Sequence, residues 1–507
     1  MKIKFISFFL FLSLSTEAQI ADLNKLSKGK LYSSDEIKDS NNNIKGYFLL
    51  FETDKVAKET YDLEYVVLDE NLTKVTNGTI TEMKFESFLI DAANVNVSAE
   101  LYKDKLLLEF SDNFQSMKAY RRYRLLDIKT NALSNPFIFN KDKMVMNPVF
   151  DRKMKNYADN ESQEMHFFEG VGLVVNSSWT DKKAGRTEKY MAHYDENFNQ
   201  VWKCVYEDMS IPGKIQKRPE YVKSDKDVIV MFSHNTKQGT WSTNNFSIFF
   251  IDSKTGKLLN QFEFPSMDKF AYKIVDCKMK DEQIFLFGNQ SKKSQYGNTN
   301  DTENIGLFKY GFNKSDAKLT ESQYLSWESM VEKLPVNKLG NVKNEGFMFV
   351  HNMLSLEDDS VIVVTETFMQ VPITTNNMYF FKLTKDFKLE EVFEVSKFRN
   401  KFPNTSGHSD EIKKYGLFDF IDYQDLGDDQ FLFFLNDNEK KSRNRRKSTL
   451  YGIVSYTDGK FKRQTLDLKT ETSSIVALNA KKGYLVLVEN FDDPHKSNEF
   501  RLEKINY

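Results

Sequence analysis

One pattern recurs along the chain: a short polar turn, then a run of apolar or β-branched residues with almost no polar interruption. It occurs as GYFLLF at 46–51, KDKLLLEF at 103–110, GVGLVV at 170–175 and DKDVIVMF at 225–232. It returns as KDEQIFLFG at 280–288, DDSVIVVT at 358–365, DDQFLFFL at 428–435 and KKGYLVLVE at 481–489. A strand that is apolar at nearly every position needs cover on both faces, so each run is predicted to sit inside a stack of packed sheets.

A second pattern follows most of these runs: an aromatic-rich strand, a polar turn and another strand. Examples are YVVLDENLTKVTN at 65–77, IFFIDSKTGKLLNQ at 248–261 and YGIVSYTDGKFKR at 451–463. Their turn chemistry marks them as hairpins. Upstream of each apolar run lies one more strand, such as IVDCKMK at 274–280 or NMLSLE at 352–357, so a unit holds four strands in an antiparallel meander. Units fall near 31–79, 84–138, 164–206, 217–264, 270–320, 346–396, 417–468 and 473–507. The fold expected is all-β, a single large β-propeller of eight blades with seven as the alternative count, because radial blades bury both faces against their neighbours. Tandem β-sandwich domains are the competing architecture, and the Pro/Ser/Gly-rich linkers they would want are absent from the sequence.

The eighth unit supplies only SSIVALNA, GYLVLVEN and NEFRLEKINY, one strand short of the pattern. An open sheet edge exposes unpaired backbone groups. Residues 20–30 precede the first unit and are expected to fill the vacant position.

Residues 1–18 read as an export signal, with Lys2 and Lys4 before the apolar run FISFFLFLSLS and small residues around a cleavage point after Ala18. The run is too short to span a bilayer comfortably, and no later segment approaches the length a membrane helix needs. The expected product, 19–507, is therefore water-soluble and periplasmic or extracellular. The 71 basic and 73 acidic side chains give a formal charge of −2, which provides no global field to attract nucleic acid or anionic lipid. Cys204 and Cys277 fall on an outer and an inner strand two units apart, beyond disulfide reach, and are expected to be free thiols. Cys277 should share an apolar face with Val275 and Met279.

In this layout, in its Lys-, Asn- and Phe-rich composition and in its export signal, the chain resembles uncharacterised exported β-propeller-like proteins of Bacteroidetes-type Gram-negative bacteria. The resemblance brings no site residues with it. WD dipeptides, kelch double glycines and sialidase boxes are absent from the units.

Chemistry is sparse. The sequence holds no HExxH, GxSxG, P-loop, CxxC or EF-hand pattern, so neither a cofactor nor a metal is expected. Asp492, Asp493 and His495 read as a polar turn before they read as a metal site, and the pairs Asp358-Asp359 and Asp428-Asp429 as hairpin turns. The long links are all of the B–C or D–A type (second to third strand, or fourth to the next first strand) and should emerge on one face, where function is expected. On that face Trp179 and Trp241, with Arg186 and His234 nearby, offer an aromatic platform for a sugar or peptide; the plainer reading folds each Trp back onto its own blade. Arg443, Arg445 and Arg446, in the loop 439–448, suit an anionic ligand but read first as solvated charge. Residues 321–334 place Tyr324, Trp327, Val331 and Leu334 at helical spacing and predict a helix over the loop face. The function expected is a non-catalytic, monomeric binding or scaffold protein of the cell envelope, with a glycan or an envelope protein as partner. A propeller hydrolase acting on glycans is the alternative.

Overall fold

The computed structural model describes residues 19–39, 43–57, 60–83, 95–112, 120–140, 143–147, 161–181, 186–208, 215–216, 219–237, 243–265, 269–293, 299–402, 407, 409–437, 448–469, 473–493 and 499–505. Most of them are β-strand. The strands form seven hydrogen-bonded sheets, and the ten-stranded one contains two consecutive meanders, so eight meanders (I to VIII) follow one another along the chain.

The eight apolar runs form the second strand of each meander, among them Ile44–Ala57 in I, Val228–Lys237 in IV and Tyr484–Phe491 in VIII. Their alternation shows why no polar position is tolerated. Val228, Val230 and Phe232 face the core shared by sheets IV and V, while Ile229 and Met231 face the core shared by III and IV. The pattern holds around the whole chain. Separate cores join I with II, II with III, III with IV, IV with V, V with VI, VI with VII and VII with VIII. One more joins VIII back to I, where Tyr47, Leu49 and Phe51 meet Val486, Phe500 and Leu502. A buried Phe or Leu contributes about 1.5–3 kcal/mol, so these seams carry most of the drive to fold.

Sheet VIII has three strands of its own, Ser473–Asn479, Tyr484–Phe491 and Glu499–Lys504. Its fourth is Gln19–Asp22, paired antiparallel with the last of these from Gln19 opposite Leu502 to Asp22 opposite Glu499. Of the segment 20–30 expected to fill the vacant edge, only the start does so: Leu23–Leu26 turns into a short helix and Lys30 begins the first strand of I.

Other contacts between sheets are specific. Trp202 on the last strand of III donates its indole N–H to the Ser253 carbonyl of IV at 2.9 Å. Its ring lies so close to Gly256 (φ 68°) that a Cβ there would sit 2.5 Å away, and the left-handed turn also favours glycine.

Between VI and VII a charged network is sealed from solvent. Lys397 Nζ lies 3.2 Å from Glu366 Oε1 and 2.6 Å from Asp419 Oδ2, and all three side chains are 0% exposed. Thr375 and Asn400 each donate to Asp419 at 2.9 Å, and His351 Nε2 lies 3.2 Å from Glu366. The amides of Asp419 and Phe420 donate to Glu366 at 3.1 Å, which ties the entry of sheet VII to the second strand of VI. Burial alone would push the Glu366 carboxyl up; the Lys397 ammonium and the hydrogen bond from His351 hold it down at about 2.

Two expectations are corrected. Residues 321–334 are not a helix: Leu319–Ser326 is the last strand of V, followed by a single 3-10 turn, Trp327–Met330. Tyr324 pairs across the ladder with Phe308, and ladder pairing outweighs a helical spacing that rests on four residues. Trp327 is fully buried and donates to Asn304 at 3.2 Å. Cys277 packs with Met279 in the IV–V core, but Val275 turns to the V–VI core because a bulge between Ile274 and Asp276 resets the alternation. Both cysteines are free. Among the described residues no helix is long and apolar enough to cross a membrane.

Candidate functional site

The first strands of the meanders converge. Lys30–Lys38 of I touches Val95–Tyr102 of II in a parallel bridge between Lys38 and Glu100. The first strands of II and III, of IV and V, and of V and VI are also in contact. Beyond the Lys38–Glu100 bridge, and the short strand Asn341–Val342 beside the first strand of VI, each ladder runs to the strand's own second strand, which leaves inward amides to be satisfied some other way. Carboxylates do it. Asp35 accepts from the Ala99 amide of the next sheet at 2.8 Å, and Glu100 accepts from the Phe167 amide of the next again at 3.0 Å.

The same side chains carry a chain of charge. Glu100 Oε1 lies 2.5 Å from His166 Nδ1. Lys38 pairs with Glu36 at 3.0 Å and reaches sheet VII to meet Asp422 at 3.3 Å, where Asn479 of VIII also donates at 3.1 Å. Around these groups is a cavity of about 740 Å³, walled by Asp35, Glu36, Lys38, Glu100, His166 and Tyr221. Asp39, Lys103 and Glu169 line it too, from the turns after the first strands, so it opens on the short-turn face. Burial raises the Asp35 carboxyl above its ordinary value. Burial opposes the charge on His166, yet the hydrogen bond and ion pair with Glu100 outweigh it and raise the imidazole pKa. Lys38 is likewise raised, by Asp422 and Glu36 against the cost of burial. Farther round, burial raises the Asp276 carboxyl of sheet V.

Two smaller cavities share this face. One, about 370 Å³, lies between II and III; the other, about 390 Å³, lies among VII, VIII and I. Among the described residues no group of three or more His, Cys, Asp or Glu is arranged to hold a metal ion.

The residues singled out in the sequence lie elsewhere. Trp179 is on a strand, not in a loop: it sits near the end of Gly172–Asp181, opposite Glu161 and Glu188. Arg186 begins the third strand of III opposite Asp181. His234 is also on a strand, half-buried, with its ring 4.8 Å from Phe232 and 5.3 Å from Phe246. The reason is common to these three: the hairpins between second and third strands keep pairing beyond the sheet body, where polar composition suggested a loop. The side chains of Trp179 and Arg186, and Trp241, Arg443, Arg445, Arg446 and His495 entirely, lie outside the described residues. Asp359, Asp428 and Asp429 occupy left-handed turn positions at φ 65°, 51° and 55°, as their place in hairpin turns implied.

The sequence reading missed the converging carboxylates. The signal was an acidic residue inside each of several first strands, SSDEIK, SAELY, VDCKMK and FIDYQD, where a half-buried strand has no local need for one.

Residues 1–374 and 369–506 match one family description, a family of unknown function (DUF6770). The chain belongs to that family. No curated protein matches it. Solved structures similar to it include the WD40 domain of SCAP from fission yeast, 9% identical over 96% of this chain and 98% of that one, with a TM-score of 0.38. The β-propeller domain of the Trilobed protease from Pyrococcus furiosus is 9% identical over 82% and 96%, TM-score 0.32. Levansucrase from Bacillus subtilis is 10% identical over 61% and 90%, TM-score 0.24. No residue correspondence is drawn from matches this distant.

Proposed function

We propose that the eight meanders are the blades of one closed propeller, and that it is a binding protein whose axial cavity takes a cationic group, such as a lysine or arginine side chain of an envelope protein. The observation that carries this reading is the wall of the 740 Å³ cavity: Asp35, Glu36, Asp39, Glu100 and Glu169 against Lys38, Lys103 and His166. Lys38 is already engaged by Glu36 and Asp422, and Lys103 lies 3.5 Å from Glu196. Tyr102, Phe167 and Tyr221 also line it, and Lys103 Nζ lies 5.2 Å from the Tyr102 ring centroid, the kind of contact a cation makes with an aromatic face. An export signal over 1–18 and a periplasmic or extracellular monomer fit a role of this kind. Trp179, Arg186 and His234, on the hairpin arms between second and third strands, would then edge the opposite face.

Calorimetric titration with acetyl-lysine methylamide, and with the acetyl-glutamate counterpart as control, tests the reading. The double variant Asp35→Asn, Glu36→Gln keeps the hydrogen-bond acceptors and removes two charges. A loss of affinity on the order of tenfold or more is expected, since a charged hydrogen bond is worth about 1.5–3 kcal/mol. Equal binding by parent and variant, or none by the parent, would overturn the proposal.

A hydrolase acting on glycans is the second reading, favoured by one observation: a carboxyl raised by burial, Asp35, lines the same cavity as Glu36 and Glu100. Release of reducing sugar from a glycan panel, lost in Asp35→Asn, would establish it over the binding role.

A further inference from the structure

The cavity between sheets II and III adjoins the axial one. Tyr102, Lys103 and Phe167 line both, and the Tyr102 and Phe167 rings stack with centroids 5.0 Å apart to form the partition. On the lateral side four aromatic rings, Tyr102, Phe167, Tyr194 and Phe198, share the walls with the carboxylates Asp104, Asp127, Asp195 and Glu196. The floor is Gly172, at φ 118°, where a Cβ would stand 3.3 Å from His193 Nε2, so the depth of the chamber depends on the missing side chain. Burial lowers the pKa of His193, and a neutral imidazole offers an uncharged ring face. The lysines at this rim, Lys103 and Lys105, lie 3.5 Å and 3.7 Å from Glu196, which leaves no surplus positive charge to repel a cationic neighbour.

We infer that the lateral cavity is an aromatic-ring subsite working together with the axial cavity, so that the ligand is an extended peptide carrying a basic residue and an aromatic residue two positions apart. The inference rests on the cation-binding reading of the axial cavity. In an extended peptide the side chains of residues i and i+2 point the same way, about 6.6 Å apart, so one short segment presents both groups across the shared Tyr102–Phe167 partition. A cavity of about 370 Å³ is of a size to hold a single phenol or indole, not a folded element.

The test compares acetyl-Lys-Gly-Tyr-amide with acetyl-Lys-Gly-Gly-amide on the whole protein by calorimetry, with saturation-transfer NMR to show which peptide protons touch it. The tyrosine peptide is expected to bind on the order of tenfold tighter, with strong saturation of its ring protons. Phe198→Ala, which removes a wall of the lateral chamber and a ring contact with Phe137 but touches no lining of the axial cavity, is expected to abolish that gain and to leave the Lys-Gly-Gly peptide unchanged. Equal affinity for the two peptides, or a gain that survives Phe198→Ala without ring saturation, overturns the lateral subsite and leaves the axial reading standing. Binding of neither peptide overturns the axial reading and this inference with it.

Discussion

Replacing Lys397 with methionine is the sharpest test of how sheets VI and VII are held together. The substitution keeps the length of the side chain and removes one charge. It leaves Glu366 and Asp419, both 0% exposed, facing each other with no cation between them. Thr375 and Asn400 still donate to Asp419, and two backbone amides still donate to Glu366, but neutral donors do not replace an ammonium at 2.6 Å and 3.2 Å. Breaking a buried ion pair from one side costs about 3–5 kcal/mol. Urea unfolding followed by tryptophan fluorescence should show a loss of that size, and the amides of Asp419 and Phe420 should exchange faster. The double variant Lys397→Met, Asp419→Asn removes one stranded charge and should recover about half of the loss. A single variant within about 1 kcal/mol of the parent, or a double variant no better than the single, would refute the reasoning.

Glu366 is held at about 2 against an ordinary 4.5, so its contribution to stability is complete above 4.5 and is lost as the pH falls toward 2; urea midpoints measured down that range should drop less steeply in Glu366→Gln than in the parent, and parallel curves would contradict the assignment. Deleting residues 19–22 uncovers the outer edge of Glu499–Lys504, so amide exchange across 499–504 should accelerate; unchanged protection there would mean that the edge is held by something other than this strand.

The repeating sheets were legible in the sequence because their second strands are buried on both sides. Runs such as VIVMF at 228–232 and FLFFL at 431–435 leave no polar face for any other placement. The completing role of the segment at Gln19–Asp22 was legible for a different reason, a missing strand in an otherwise regular count. Helical spacing misled at 321–334, where a strand end and a 3-10 turn together imitate a period near 3.6 over two turns. Trp179 and His234 were misplaced into loops because a hairpin arm that projects past its sheet loses its apolar face and looks like a link. The cavity among the first strands of I to IV was signalled in the sequence only by acidic residues inside several of those strands. The first strands of I, II and III contribute one or two groups each, Asp35, Glu100 and His166 among them, and only the convergence of strands separated by whole meanders makes them a site.

The pairing of Gln19 with Leu502 gives the molecule a mechanical weak point. Four residues early in the sequence pair with four of the six in Glu499–Lys504, whereas the other sheets pair strands that lie close together in the chain. During synthesis the early strand has no partner until nearly the whole chain has emerged, so sheet VIII is the last to be completed, and the cost is one of waiting more than of entropy, which grows only with the logarithm of the intervening length. Force applied between the two ends meets this short ladder first. Such a load would peel Gln19–Asp22 away and expose the flank of sheet VIII before any other blade gave way.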